Sequence, residues 1–541
     1  MLFTLKHVTN IGVLLLLVAQ PWPSLAASSC TSLLQLKIPN TEIILAETVF
    51  AGLFTAPDGI AYEVPAFCRV HGVARPTGDS EINFEVWLPS DSWNGRYYQV
   101  GTGGLAGRIF YGHLAENIKQ GHAVAGTDMG HVGEGWDASW ALGHPEKIID
   151  YGYRGLKVTT DNAKSVLSTY YGKPASYSYF AGCSNGGGEA LMAAQRFSED
   201  WNGFLVGAPA NFRTFTGTLK VSNEIAQWAI PGSNIPHSKL PAIQKAALAA
   251  CSREAYVIDG VAADPRFCRF DTASLVCKKE ENDACLTQKQ AVTLKALYDG
   301  PKNPLTEESI FPGLETTFEA GNLWKNYVLG KEPGQTIPAK FGQGVFAYML
   351  LDNSELDIYK MDFGSAIEKI NLKDIEGQTL PQILNSDDPD LNKMRNLGGK
   401  ILMYYGWGDA VLPPQGGINY YESVVDSIGG LIQTQDFYRL FMVPGMGHCA
   451  GGPGANAFGQ YSTTPGLKND NKNNVYRALE AWVEHGTAPE KIIATKYIDD
   501  KPEKGVSFTR PLCPYPDVPV YDGVGDIKKA KNFSCKLGET P

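Results

Sequence analysis

Short apolar runs alternate with helix-period stretches between residues 83 and 210. Segments 83–88 (NFEVWL) and 96–100 (RYYQV) read as strands, as does 123–125. In 156–171, LKVTTDNAKSVLSTYY, the apolar positions recur at helical spacing. A strand pattern follows at 176–181, a helix opens at 189–195 (EALMAAQ), and 204–206 is another short strand. Past residue 211 the alternation stops. From there to about residue 390 the chain is loopier, richer in Pro and Lys, and carries four closely spaced cysteines. Strand patterns return at 400–405 (KILMYY) and 438–443 (YRLFMV), and 474–485 reads as a helix. The fold class expected is α/β, a mostly parallel sheet with helices on both faces. The organisation expected is one domain in two parts, 27–210 and 391–541, with residues 211–390 inserted between them. An insertion at the strand ends of such a sheet covers the crevice where ligands usually bind.

The first 26 residues change the compartment. Lys6 and His7 precede an apolar run, and Ser24-Leu25-Ala26 forms a small-residue cleavage site, so residues 1–26 read as a signal peptide. The apolar run is short for a membrane span, so no membrane association is expected after cleavage. Export, to the periplasm or beyond the cell, puts the ten cysteines in an oxidising compartment. Their even number permits five disulfides, and none sits in a CxxC pair or with zinc-type spacing. The net charge of −10, with no basic run, argues against a nucleic-acid partner.

Gly182-Cys183-Ser184-Asn185-Gly186 fits G-x-S-x-G, with a strand pattern running in and a helix of small residues running out. That is the setting of a nucleophile elbow. A serine hydroxyl needs a base and an orienting acid to attack at neutral pH. In the α/β-hydrolase layout these follow the serine in the order acid, then histidine. Asp409 ends Tyr405-Gly406-Trp407-Gly408-Asp409 just past a strand, and His448 lies in Gly445-Met446-Gly447-His448-Cys449 past the next. Asp128 and His131 are rivals by residue type, but both precede the serine. Donors for an oxyanion are expected from the amide of Asn185 and from the loop 101–107, Gly103 first and Gly104 second. Cys183 precedes the serine and Cys449 follows the histidine. If Ser184 and His448 meet, a bond between these cysteines would staple nucleophile to base, since a disulfide needs Cα atoms about 4.4–6.8 Å apart.

These motifs, with Ala141-Leu142-Gly143-His144-Pro145-Glu146-Lys147 and Gly207-Ala208-Pro209-Ala210, resemble the tannase and feruloyl esterase family. That family also includes the hydrolase of mono(2-hydroxyethyl) terephthalate. The resemblance covers nearly the whole mature chain. It implies an α/β-hydrolase domain with a large lid, and a triad of Ser184, Asp409 and His448. It also implies disulfides Cys183–Cys449, Cys30–Cys68, Cys251–Cys268, Cys277–Cys285 and Cys513–Cys535. The departures are Gly188 where members usually carry arginine, Thr102 where glycine is common, and a depleted calcium loop in the lid. At that loop Asp259 remains, with Val257 and Val261 at the carbonyl positions, while Ser252 and Ala255 replace two aspartates. Calcium prefers six to eight oxygens including carboxylates, so a calcium ion in the lid is a doubtful addition and no cofactor is expected to be required.

The resemblance implies a secreted serine carboxylesterase acting on small aromatic acid esters of feruloyl or galloyl type. The alternatives are a hydrolase of terephthalate half-esters and a catalytically silent binding protein on the same fold. Aromatics of the insertion, among them Trp324, Tyr327, Phe346 and Tyr348, are expected either in its core or on the substrate surface. Oligomeric state is left open by the sequence.

Overall fold

The computed structural model describes residues 29–252, 256–304, 306–460 and 466–538. The signal-peptide segment 1–26 and Ala255 lie outside these residues.

A nine-stranded sheet forms the centre. Its spatial order is Thr41–Val49, Phe67–Ala74, Ile82–Pro89, Ala123–Thr127, Arg96–Val100, Tyr177–Cys183, Gly203–Gly207, Lys400–Gly406 and Tyr438–Val443. The first three pairings in that order are antiparallel and the remaining five are parallel. The parallel strands need cover on both faces, and their sequences provide for it. All five residues of Gly203–Gly207 are buried, as are six of the seven in Lys400–Gly406. Two apolar clusters result, one on each face of the sheet. Phe180, Phe204 and Met403 enter one, and Tyr179, Leu205 and Leu402 enter the other. Alternation along each strand therefore builds both halves of the core.

Strands Gly203–Gly207 and Lys400–Gly406 are neighbours, although the whole stretch from 208 to 399 lies between them in the chain. That stretch, loop-like in pattern, includes several helices. It contains Arg213–Trp228, Leu240–Ala249, Gln288–Asp299 and Phe363–Leu372. Helix Arg213–Trp228 packs mainly on helices of its own stretch, Ile337–Gln343 and Gln288–Asp299, with Arg213, Lys220 and Glu224 buried, and Arg213 reaches Asn185 beside the sheet. Its polar residues hid it from an apolar-period reading, because they face buried partners rather than water.

All ten cysteines are paired, in five disulfides joining the partners that the resemblance implied. No helix among the described residues is long and apolar enough to cross a membrane.

Candidate active site

The strand Tyr177–Cys183 ends one residue before Ser184, and the helix Asn185–Arg196 begins one residue after it. Ser184 therefore occupies the turn, with φ 64° and ψ −123°. That conformation is costly for a residue with a Cβ and persists only where the surroundings enforce it. Gly182 and Gly186 make the turn possible. A Cβ on Gly182 would sit 2.5 Å from the Gly186 carbonyl, and one on Gly186 would sit 2.9 Å from the Thr102 carbonyl.

Asp409 and His448 come from the loops after strands Lys400–Gly406 and Tyr438–Val443. The Asp409 carboxylate is buried, and its Oδ1 accepts the amides of Val411 and Leu412 at 2.8 and 2.9 Å. Its Oδ2 accepts from His448 Nδ1 at 2.7 Å. The Gly408 amide donates to the Met446 carbonyl at 2.8 Å, which ties the two loops together. His448 keeps 15% of its side chain exposed, and it opens onto the same cleft as Ser184.

That cleft has a volume of ≈ 510 Å³. Thr102, Gly103 and Gly104 form one wall beside Ser184, and the disulfide Cys183–Cys449 lies in its floor with a Cα separation of 5.9 Å. Aromatic side chains supply much of the remainder: Phe110, Trp136, Tyr327, Phe341, Tyr404 and Tyr476. Of the insertion aromatics singled out in the sequence, Tyr327 reaches the cleft. Trp324 and Phe346 are buried in the core, and Tyr348 lines a separate depression beyond Trp136.

None of the amides of Gly103, Gly104 and Asn185 donates a hydrogen bond to a protein group among the described residues. Gly104 holds φ 62° against the carbonyl of Gly135, and Asn185 opens its helix. Free N–H groups beside a serine are suited to a developing negative charge.

The rival pair is separated. Asp128 Oδ1 accepts the amides of Asn83 and Gly130, and its Oδ2 accepts Asn83 Nδ2. Burial pushes its carboxyl up to about 7. His131 donates from Nε2 to the Leu105 carbonyl at 2.8 Å and stacks on Trp140 at 3.9 Å. Burial pushes it down to about 4, so it stays neutral at physiological pH. Neither lines the Ser184 cleft.

The residues of the depleted calcium loop do not fit a calcium ion. Val257 is exposed, and the Val261 carbonyl accepts the Ile258 amide at 2.9 Å. Asp259 Oδ2 is held by Arg510 Nη2, whose guanidinium lies over the rings of Phe508 and Phe533 at 4.7 and 4.6 Å. No cluster of three metal-ligating side chains occurs among the described residues. A fixed cation already pairs with the one carboxylate, and the lone acid offers far fewer oxygens than calcium takes.

Sequence reasoning missed a buried polar network behind the serine. Glu189 Oε2 accepts the Thr102 amide at 2.9 Å, and its Oε1 accepts the Thr102 hydroxyl and Asn185 Nδ2. Asn185 Oδ1 accepts from Arg213 Nε at 2.8 Å and from the Tyr151 hydroxyl at 3.1 Å. One signal was present: Asn185 and Glu189 lie four apart at the start of a helix, hence on one face, amid glycines and apolar residues.

The family model described as tannase and feruloyl esterase matches residues 68–536. An uncharacterised esterase of Xanthomonas campestris pv. campestris is 44% identical over 527 residues, covering 94% of this chain and 91% of that protein. A probable feruloyl esterase of Arthroderma benhamiae is 30% identical, covering 94% and 93%. Among solved structures, feruloyl esterase B from Aspergillus oryzae superposes with a TM-score of 0.85 at 25% identity, covering 94% of this chain and 99% of that one.

Proposed function

As this chain belongs to the tannase and feruloyl esterase family of α/β-hydrolase carboxylic ester hydrolases, we propose that it cleaves feruloyl- or galloyl-type esters through Ser184, His448 and Asp409. Ser184 Oγ attacks the ester carbonyl and His448 Nε2 takes its proton. The amides of Asn185, Gly103 and Gly104 stabilise the oxyanion, and the alcohol leaves with the proton returned by His448. Water, activated by the same imidazole, then hydrolyses the acyl-enzyme. Asp409 holds the imidazole with Nδ1 protonated, because an ionised carboxylate can only accept. The observation that carries this reading is the 2.7 Å His448–Asp409 bond opening onto the cleft in which Ser184 sits on a strained turn. The aromatic lining suits a planar acyl group.

Hydrolysis of methyl ferulate and methyl gallate, with Ser184→Ala as the control, tests it. Turnover that survives Ser184→Ala, or no turnover of either ester, sinks the assignment. One feature favours a second reading, the terephthalate half-esters: among the described residues the cleft lining includes Arg108 and no Asp or Glu. A half-ester as third substrate, with Arg108→Met alongside, decides between them. A selective loss on the charged ester supports that reading, and equal effects on charged and neutral esters dismiss it.

We also propose export of the mature protein, supported by the pairing of all ten cysteines. Mass determination of the secreted form tests this, and a retained residue 1 would contradict it.

A further inference from the structure

We propose that Glu189 is a positioning residue that holds the two walls of the oxyanion hole in register, acting through Thr102 on one wall and Asn185 on the other. This rests on the oxyanion-hole reading above and extends it to a residue that never touches substrate.

The two walls come from distant parts of the chain. Asn185 begins the helix after Ser184, and Gly103 and Gly104 belong to the loop after strand Arg96–Val100. Their amides must converge on one oxygen atom, and an error of about 1 Å in such a geometry costs on the order of 100-fold in rate. Residue 102 is where the loop is gripped. Its carbonyl accepts the Gly186 amide at 2.8 Å, its amide donates to Glu189 Oε2 at 2.9 Å, and its hydroxyl donates to Glu189 Oε1 at 2.5 Å. A backbone unit held at both its N–H and its C=O has little freedom to rotate, so the next two amides inherit a fixed direction. The contact is close: a Cβ on Gly101 would lie 2.4 Å from Gly186 Cα and 3.0 Å from Glu189 Oε2.

The same carboxylate holds the other wall. Glu189 Oε1 accepts Asn185 Nδ2 at 2.9 Å, and the Thr102 hydroxyl oxygen lies 2.9 Å from the same Nδ2. The direction of these bonds follows from donor chemistry. Arg213 carries donors only, so its Nε–H at 2.8 Å fixes the Asn185 oxygen toward Arg213 and the Asn185 amide nitrogen toward Glu189. Glu189 therefore meets N–H donors at both oxygens and serves as an acceptor. Arg213, also buried, supplies the compensating charge through the Asn185 amide. It comes from helix Arg213–Trp228, the first helix after strand Gly203–Gly207, so the inserted segment takes part in bracing the hole.

A network that merely fills the core would show itself in stability alone. One that positions the amides lowers kcat, spares KM and weakens binding of a tetrahedral mimic. Glutamine at 189 would present an N–H to a donor at one of its two ends. Asn185 cannot flip to relieve this without turning its own N–H₂ onto Arg213.

The experiment compares wild type, Glu189→Gln, Thr102→Val and Thr102→Ser in steady-state hydrolysis of methyl ferulate. It also measures inhibition by a phenylboronic acid, as the tetrahedral mimic, and by free ferulate. For Glu189→Gln the expected result is a drop in kcat of about 100-fold, with KM and ferulate inhibition changed by less than about threefold and boronate inhibition weakened in step with kcat. Thr102→Val keeps the backbone bond and is expected to lose about tenfold in kcat, with Thr102→Ser restoring most of it. If Glu189→Gln fails to fold, the Val and Ser pair decides, and equal kcat values for the two overturn the proposal. A folded Glu189→Gln with wild-type kcat, or with kcat and ferulate binding lost together, overturns it as well. Wild-type hydrolysis that disappears in Ser184→Ala, beside an unimpaired Glu189→Gln, removes the positioning role alone. A wild-type protein inert to esters removes both readings.

Discussion

Cys183 and Cys449 are bonded to each other, and they are the chain neighbours of Ser184 and His448. The bond spans 266 residues of sequence yet joins the end of strand Tyr177–Cys183 to the loop after Tyr438–Val443, and both cysteines line one cleft. Loop-closure entropy bounds its contribution to stability at about 5–6 kcal/mol, and the measured effect is expected to fall below that bound because sheet pairing on both sides already restrains the loops. Replacing both cysteines by alanine is therefore predicted to cost about 10- to 100-fold in kcat, with Tm lowered by only a few degrees. Turnover at the wild-type rate in the double variant would refute the staple.

Asp409→Asn tests the orienting acid. With asparagine at 409, the amide nitrogen can face His448 Nδ1 and favour the wrong tautomer. A fall in kcat of about 10⁴-fold is expected with little change in KM. Circular dichroism should match wild type, since an amide oxygen can still accept from the Val411 and Leu412 amides. A loss below about tenfold would leave Asp409 as a loop-former only.

Gly103 and Gly104 respond differently to the same substitution. Gly104 has φ 62°, and an added Cβ would lie 2.1 Å from the Gly135 carbonyl. Gly104→Ala is predicted to displace the loop, with kcat reduced about 100-fold or more and Tm lowered. At Gly103 the nearest atom to an added Cβ is Phe110 Cζ at 3.1 Å, the tip of a ring lining the cleft. Gly103→Ala should fold normally and keep kcat within about tenfold of wild type. Equal kcat values for the two variants would contradict this account of the wall.

Lys220 carries a pH dependence of stability. It is buried, donates from Nζ to the Val411 carbonyl, and lies over the Tyr327 ring at 4.6 Å. Burial pushes its ammonium down to about 7 from an ordinary value of 10.5. Between those values the unfolded chain binds a proton that the folded protein has released, so stability rises with pH across that window. Below pH 7 both states are protonated and the penalty is fully present. In urea titrations at pH 7 and pH 10, wild type should gain stability relative to Lys220→Met on going to the higher pH. Parallel behaviour of the two proteins would show that Lys220 keeps an ordinary pKa.

The strands at 96–100 and 438–443 and the helix at 156–171 were legible because each repeats a local period that the folded core then uses on both sheet faces. The elbow was legible for a similar reason. Gly182 and Gly186 answer a steric demand two residues away from Ser184, within reach of any motif reading. Helix Arg213–Trp228 was not legible as a helix, since its buried face carries Arg213, Lys220 and Glu224, and a polar residue gives no sign in sequence of the partner that will bury it. The calcium loop shows the converse. Its missing aspartates were plain in the sequence, while the partner of the remaining Asp259 was Arg510, 251 residues further on.

By itself the sequence determined seven of the nine strands of the central sheet (Thr41–Val49 and Phe67–Ala74 were not legible), the turn that carries Ser184, and the set of loops from which acid and base could come. Each of these depends on residues close together in the chain. The tertiary structure alone decided that Asp409 pairs with His448 while Asp128 and His131 part, which aromatics face the cleft, and how Glu189 joins Thr102 to Asn185 and, through it, to Arg213. Hydrogen bonds of this kind act over about 3 Å in space whatever the separation in sequence, so no local pattern encodes them.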